Sequence, residues 1–249
     1  MNIKFNHIEP KYKNFFNPKV GLIVLSTDNT IENDFNIICR DLPIDIFINR
    51  IHNENPLSKE NLAKMKEKLH SVASKILPDE KVNTIAYGCT SGTIAIGEDK
   101  VMEKILMAKP GCYVTTPPTS AIKAFNVMKV KKIALFTPYP ESVNKTIFEY
   151  FDKKKIEVLS FDTLNIELDS DIAKVDPNYL LEVLTKLDTK KADALFISCT
   201  ALPVLKILEK VEKKINKPTF SSNQTLIWDT IRSVGHKSPI KGYGKLLRN

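Results

Sequence analysis

No apolar run in the 249 residues approaches the roughly 18 needed to cross a bilayer. The opening stretch, Met1-Asn2-Ile3-Lys4-Phe5-Asn6, lacks the apolar core of a secretory signal. The expectation is a cytoplasmic protein with no membrane partner. Cysteine is scarce: Cys39, Cys89, Cys112 and Cys199, with no C-x-x-C and no zinc-type spacing. That argues against general thiol-disulfide exchange. In a reducing compartment the even count does not imply disulfides. The four histidines, His7, His52, His70 and His236, are scattered, so no histidine-based metal cluster is visible. Acidic residues are outnumbered, 29 against 37 basic ones, for a net charge of +8. The excess does not read as a nucleic-acid surface. Lysines alternate with acids in Lys64–Lys68 and Lys210–Lys214, as on solvated helix faces, and no base-stacking motif accompanies them. A basic surface still raises the local concentration of an anionic substrate.

What is present is a doubled pattern. The apolar run Val82 to Ala86 leads into Tyr87-Gly88-Cys89-Thr90-Ser91-Gly92-Thr93 and a helix-like segment. A cysteine between a buried strand and a helix start sits among free N–H groups, which bind anions and favour a thiolate. Alone, such a cysteine is as readily a small core residue. But Ala194-Leu195-Phe196-Ile197-Ser198-Cys199-Thr200-Ala201-Leu202-Pro203 repeats strand, Cys-Thr and helix start 110 residues later. Val20 to Thr27 likewise resembles Lys132 to Pro138, at an offset near 111. The pattern predicts an internal duplication, with one thiol from each half facing the other across a cleft.

Strands alternate with helices throughout, which predicts an α/β protein with parallel sheets. Residues 1–19, with Phe5, Tyr12, Phe15 and Phe16, read as an arm lying across the body. Val20 to Leu25 is a buried strand, and the turn Ser26–Thr30 at its carboxyl end is a ligand position in open α/β sheets. Asp28 or Thr30 there equally serves as a helix cap. Ile44 to Ile48 is a second strand, and Arg50 after it is read as a surface residue. Ser58 caps a helix to Leu77 whose face Leu62, Met65, Leu69, Val72, Ala73 and Ile76 is core. Cys112 is read as structural. Thr119 and Ser120 are expected to cap a helix over 121–128. Tyr139, after strand 132–136, is either a donor to a substrate carboxylate or a residue wedged in its turn. Asp176, with Pro177 at the first helical position, caps a helix over 178–187. The lobes expected are 1–116 plus 219–249 and 117–218, the closing strand and helix returning to the first.

On these stretches the chain resembles the aspartate/glutamate racemase superfamily, within it the maleate cis-trans isomerase and ectoine-utilisation branch. The carrying residues are Gly21–Glu32, Tyr87–Thr93, Thr137-Pro138-Tyr139 with Val143-Asn144, Ile197–Pro203 and Ser221-Ser222-Asn223-Gln224. The resemblance implies two flavodoxin-like lobes related by a pseudo-twofold axis, no metal, no organic cofactor, and a homodimer or homotetramer. It implies a small carboxylate held between Cys89, the nucleophile that adds to the double bond of maleate, and Cys199, its acid/base partner. Rotation about the new single bond and elimination then give fumarate. In the racemases, the alternative activity along with ectoine degradation, paired thiols exchange an α-proton instead. The arylmalonate decarboxylases, related enzymes, lack the first cysteine. Tyr139 matches a carboxylate-binding tyrosine and Asn165 a further substrate-binding asparagine. Thr90, Ser91, Thr200 and Ala201 flank the thiols as substrate contacts. One departure stands out: Asp28 occupies the place of an asparagine that contacts a substrate carboxylate. An ionised Asp28 repels a dicarboxylate and better suits an amine or a structural role.

Overall fold

The computed structural model describes residues 3–13 and 16–249. Its first half runs β1 (Lys19–Leu25), α1 (Ile31–Cys39), β2 (Asp45–Ile51), α2 (Lys59–Lys64), α3 (Lys66–Ser74), β3 (Thr84–Gly88), α4 (Thr90–Ile96), α5 (Glu98–Ala108), β4 (Tyr113–Thr115) and α6 (Pro117–Met128). Its second half runs β5 (Lys132–Thr137), α7 (Glu141–Lys153), β6 (Glu157–Thr163), α8 (Asp169–Ile172), α9 (Pro177–Leu184), β7 (Ala194–Ile197), α10 (Leu205–Ile215), β8 (Thr219–Ser221) and α11 (Ser222–Ser233). Each half forms one four-stranded parallel sheet, in the orders β2-β1-β3-β4 and β6-β5-β7-β8. The two orders correspond strand for strand, as the doubled pattern predicts.

The central strands β1, β3, β5 and β7 are continuous apolar runs because helices cover both their faces. Their carboxyl ends deliver the Ser26–Thr30 turn, Cys89, Tyr139 and Cys199 to one region. The sheets are coupled by their last helices. Helix α6 follows the first sheet, yet its Phe125 packs edge-on against Phe196 and Phe220 of the second, both at 5.4 Å, and near Phe151 at 6.2 Å. Truncating such a buried ring costs about 3–5 kcal/mol. Helix α11 makes the opposite crossing. Its buried Asp229 accepts hydrogen bonds from Tyr113 (2.9 Å) and Thr115 of β4, and from Ser120 (3.1 Å) and Lys123 (2.9 Å) of α6.

Several expectations are corrected. Strand β8 pairs with β7 in the second sheet, not with the first; only helix α11 crosses back. The arm does not lie across the body: Ile3, Phe5, Ile8, Tyr12 and Phe16 are exposed, and Phe15 lies outside the described residues. The helix over 58–77 is two helices, tightened at Met65 by i→i+3 bonds and ending at Ser74; Ser58 caps the first, accepting from Asn61 N at 3.1 Å. Helix α6 starts at Pro117. Thr116 is its cap and exchanges bonds with Thr119 in a capping box, because two prolines lacking N–H fit the first turn. Asp176 caps α9 as expected, accepting from Asn178 N and Tyr179 N. No helix among the described residues is long and apolar enough to cross a membrane.

Candidate active site

Cys89 is the N-cap of α4, with an extended backbone that frees its side chain to turn back over the helix. Its Sγ accepts from Gly92 N at 3.2 Å, and its carbonyl accepts from Thr93 N and Thr93 Oγ1 at 3.1 and 2.6 Å. Gly92 is required by close approach. A Cβ there would lie 2.6 Å from Met65 Cε, 2.7 Å from Cys89 Sγ and 2.9 Å from the Tyr87 hydroxyl. The amides of Thr90 and Ser91, the first two of α4, have no intrahelical acceptor. Ser91 Oγ stands 4.0 Å from the thiol, and Thr90 Oγ1 donates to Ser222 Oγ at 2.8 Å.

Cys199 is held differently. Its Sγ accepts from Ala201 N at 3.3 Å, but residues 199–204 are not helical and α10 begins only at Leu205. The expected helix start is corrected: Pro203 disfavours helical geometry at Leu202 and keeps the segment open. Side chains from elsewhere fix it instead. Thr30 Oγ1 donates to Ala201 O at 2.7 Å. Asn223 Nδ2 donates to Thr200 O and to Asp34 Oδ2, both at 2.8 Å. Ser222 and Asn223, adjacent at the start of α11, therefore each hold one cysteine turn.

The two thiols are buried near one tyrosine. Each cysteine is 2% exposed. Tyr139, equally buried, lies in the field of both thiols with its phenol against Cys199, while Tyr87 stands beside Cys89. The Tyr139 carbonyl is braced by Asn144 Nδ2 and Thr163 Oγ1, each at 2.7 Å. Asp28 caps α1 as well as lying in the field of both thiols. Its Oδ1 accepts from Thr30 N (2.7 Å) and Ile31 N (3.0 Å), while its buried Oδ2 has no hydrogen-bond partner. Arg50, read from the sequence as a surface residue, is half-exposed but braces this turn. Its Nη1 donates to the carbonyls of Leu25, Ser26 and Asp28, and its Nη2 pairs with Glu32 at 2.8 Å.

Electrostatically the surroundings of the thiols are acidic and strongly desolvated. Burial above all, then the Asp169 carboxylate, pushes the Cys89 thiol up to about 12; the Gly92 amide and Ser91 partly offset this. Cys199 is raised well above the ordinary thiol value by the same two causes, against donors from Tyr139 and Ala201. Desolvation thus works against the thiolate that the helix start favours. Burial raises Asp28 too, against its two backbone bonds and the nearby Thr200 hydroxyl. Asp169 is pushed up to about 6 by burial and by Asp28, against the Thr27 Oγ1 donor at 2.5 Å, itself bonded by Asn53 Nδ2 at 2.9 Å.

Sequence reasoning passed over Asp169, Tyr87 and Asn223. Asp169 opens a four-residue helix after a loop and carries no motif. Tyr87 and Asn223 sit inside the quoted stretches, but nothing in the sequence says what they touch. Asn165, by contrast, is not brought to the thiols. It is exposed and lines a surface pocket of about 550 Å³ with Glu141, Lys145, Phe148 and Phe161. Cys39 and Cys112 are buried and structural, Cys39 pushed up to about 12 by burial. Among the described residues no group of three His, Cys, Asp or Glu is arranged to hold a metal.

Comparison with known proteins adds to this geometry. The family profile described as arylmalonate decarboxylase matches residues 45–247. A maleate isomerase of Geobacillus stearothermophilus is 26% identical over 245 residues, covering 92% of this chain and 96% of that protein. The crystal structure of the maleate isomerase Iso from Pseudomonas putida S16 superposes with a TM-score of 0.84 at 22% identity, covering 93% of this chain and 98% of that one. A cysteine-to-serine mutant of the Nocardia farcinica maleate cis-trans isomerase, with a covalently bound succinylcysteine intermediate, superposes at 0.85 with 19% identity, covering 93% and 98%. These superpositions establish the fold.

Proposed function

The chain belongs to the arylmalonate decarboxylase family, and we propose that it is a cofactor-independent two-cysteine isomerase. Its substrate is a small cis-enedioate of the maleate type, converted to the trans isomer through a covalent Cys89 adduct. The observation that carries this reading is that Cys89 and Cys199, both buried, share Tyr139, Asp28 and Asp169 as neighbours. Two thiols from opposite halves serve covalent and acid/base chemistry on one small molecule.

In the proposed cycle the Cys89 proton leaves to water as the substrate enters. The thiolate sulfur bonds to one alkene carbon, and the π pair moves onto the neighbouring carbon, delocalised into its carboxylate. The Cys199 thiol gives that carbon its proton, leaving a succinyl-type thioether and a Cys199 thiolate. Rotation about the new single bond follows. Cys199 removes the proton, the π bond re-forms, and the Cys89 sulfur leaves as a thiolate that regains a proton from water as product departs. The amides of Thr90 and Ser91, the Tyr139 phenol, and the turn Thr200-Ala201 are the contacts proposed for carboxylate charge. Assembly as a homodimer or homotetramer belongs to the same proposal; light scattering checks it.

A second reading is favoured by Asp28 alone. A buried carboxylate suits an ammonium group, and paired thiols then exchange an amino-acid α-proton. Proton NMR in D2O separates the two. Maleate converted to fumarate, with both Cys89→Ala and Cys199→Ala inactive, supports the isomerase. Deuterium appearing at Cα of an acidic amino acid, without loss of maleate, replaces it with the racemase.

A further inference from the structure

Each thiol has a buried phenol at its side. Tyr139 stands against Cys199, and Tyr87, fully buried at the end of β3, stands beside Cys89. Cys89 has few groups to stabilise a negative charge. Its Sγ holds the Gly92 amide at 3.2 Å, while Ser91 Oγ is 4.0 Å away. Burial and the carboxylates of Asp169 and Asp28 oppose the thiolate. The Tyr87 hydroxyl is a further donor at the same place. The space that a Cβ on Gly92 would fill is bounded by both atoms, Cys89 Sγ at 2.7 Å and the Tyr87 hydroxyl at 2.9 Å. That hydroxyl donates to Met65 Sδ at 3.5 Å, a thioether and a weak acceptor. Met65 closes the same space, its Cε 2.6 Å from the Cβ position. Burial first, then the Cys89 charge, keep the phenol protonated well above its ordinary value, so it remains a donor.

We propose that Tyr87 is a hydrogen-bond donor to the reacting sulfur, its O–H turning from Met65 Sδ to Cys89 Sγ when the thiolate forms. This rests on the two-thiol reading, in which Cys89 is the nucleophile, and adds a group to it. The Cys89 S–H proton goes to water. Tyr87 keeps its own proton, and only the acceptor of its O–H changes. The exchange runs toward the thiolate because a hydrogen bond to an ion is roughly twice as strong as one between neutral groups. In the thiol form the thioether keeps the buried hydroxyl from being left without an acceptor. The same donor serves twice, once before the sulfur adds to the alkene and once when it leaves.

The test needs no turnover. The full-length protein is treated with iodoacetamide between pH 7 and 9, and alkylation of the Cys89 and Cys199 peptides is followed by mass spectrometry. Tyr87→Phe removes the hydroxyl and keeps the ring, with Asp169, Asp28 and Tyr139 left in place. Losing a hydrogen bond to a charged group is expected to cut the Cys89 thiolate fraction by about tenfold or more. A more basic thiolate attacks faster and offsets part of this, so Cys89 alkylation is expected to slow by about three- to tenfold. Cys199 alkylation is expected to stay unchanged. Met65→Leu removes the competing acceptor and is expected to speed Cys89 alkylation, again without moving Cys199; it carries the test alone if Tyr87→Phe does not fold. An unchanged or faster Cys89 rate in folded Tyr87→Phe, or equal slowing at both cysteines, overturns the role of Tyr87. A slower or unchanged Cys89 rate in Met65→Leu does the same. The two-thiol reading falls by a separate result, maleate turnover retained in Cys89→Ala.

Discussion

The two cysteine turns occupy matching places in matching sheets and are built by different means. Cys89 caps a helix, and its thiol is fixed by that helix's own Gly92 amide. Cys199 stands in a non-helical segment whose shape comes from Thr30 and Asn223, residues of other elements. One turn is locally determined and the other is determined by the assembled fold. Position at the end of a central strand is therefore what the duplication preserves; the means of holding the thiol is not.

The strongest way to break the comparison is to remove each sulfur in turn. Cys89→Ala and Cys199→Ala are each expected to lose about 10⁴-fold or more in turnover. Neither is expected to unfold, because each side chain is small and packs in a polar pocket. The pair differ in mass spectrometry after incubation with substrate. Cys199→Ala retains the nucleophile and is expected to accumulate an adduct on Cys89, whereas Cys89→Ala shows none. An adduct on Cys199 in the Cys89→Ala protein would reverse the assigned roles.

Gly92→Ala comes next. Its Cβ meets Cys89 Sγ, Met65 Cε and the Tyr87 hydroxyl at under 3 Å, so the thiol must move. A displacement approaching 1 Å costs about 10²-fold in rate. Full activity in a folded Gly92→Ala protein would show that the local hold on Cys89 is not needed. Ala201, already bearing a Cβ where it donates to Cys199, shows that the second turn has no such constraint.

The parallel sheets, the doubled layout and both thiols were legible because each leaves a local signature: apolar runs without alternation, and Cys-Thr after a strand. A helix start was expected at Cys199-Thr200 because the Cys-Thr resemblance outweighed Pro203, four residues past the thiol. Strand β8 was assigned to the wrong sheet because three residues, Thr219–Ser221, carry no record of their neighbour; only the following helix crosses over. The opposing pull on the thiols was hidden for a different reason. A helix terminus is visible in sequence, but burial and the approach of Asp169 from a distant loop are not. The same distance hid Asn223, whose partners Thr200 and Asp34 are brought together only by the fold.

Asp169 offers a test of that hidden electrostatics through stability. Its carboxyl is raised from 3.8 to about 6 in the folded protein. Between those values the folded state holds a proton that the unfolded chain releases, so stability falls as pH rises and the full cost is present above pH 6. Asp169→Asn removes the ionisation and keeps the shape. It is expected to raise unfolding stability by up to about 3 kcal/mol at neutral pH and to change it little near pH 4. Equal denaturation midpoints for wild type and variant across that range would show that Asp169 is not desolvated in solution.

The finest comparison sets Ser222→Ala against Asn223→Ala, neighbours that each reach one turn. Ser222 meets Thr90 on a helix already closed by the Thr93-to-Cys89 bonds, so its loss removes one neutral bond, about 1 kcal/mol or less. Asn223 meets a segment with no helix to hold it. Its loss frees Thr200 O and leaves Asp34 Oδ2, on a carboxyl lifted to about 7 by burial, without its donor. That is expected to cost about 1–3 kcal/mol of stability, with turnover falling more than in Ser222→Ala. The adduct step at Cys89 should survive Asn223→Ala, while proton return through Cys199 slows, so adduct should build up during turnover. Equal losses in the two variants, without that build-up, would mean that α11 supports the whole pocket evenly and that the two turns differ in form but not in how they are held.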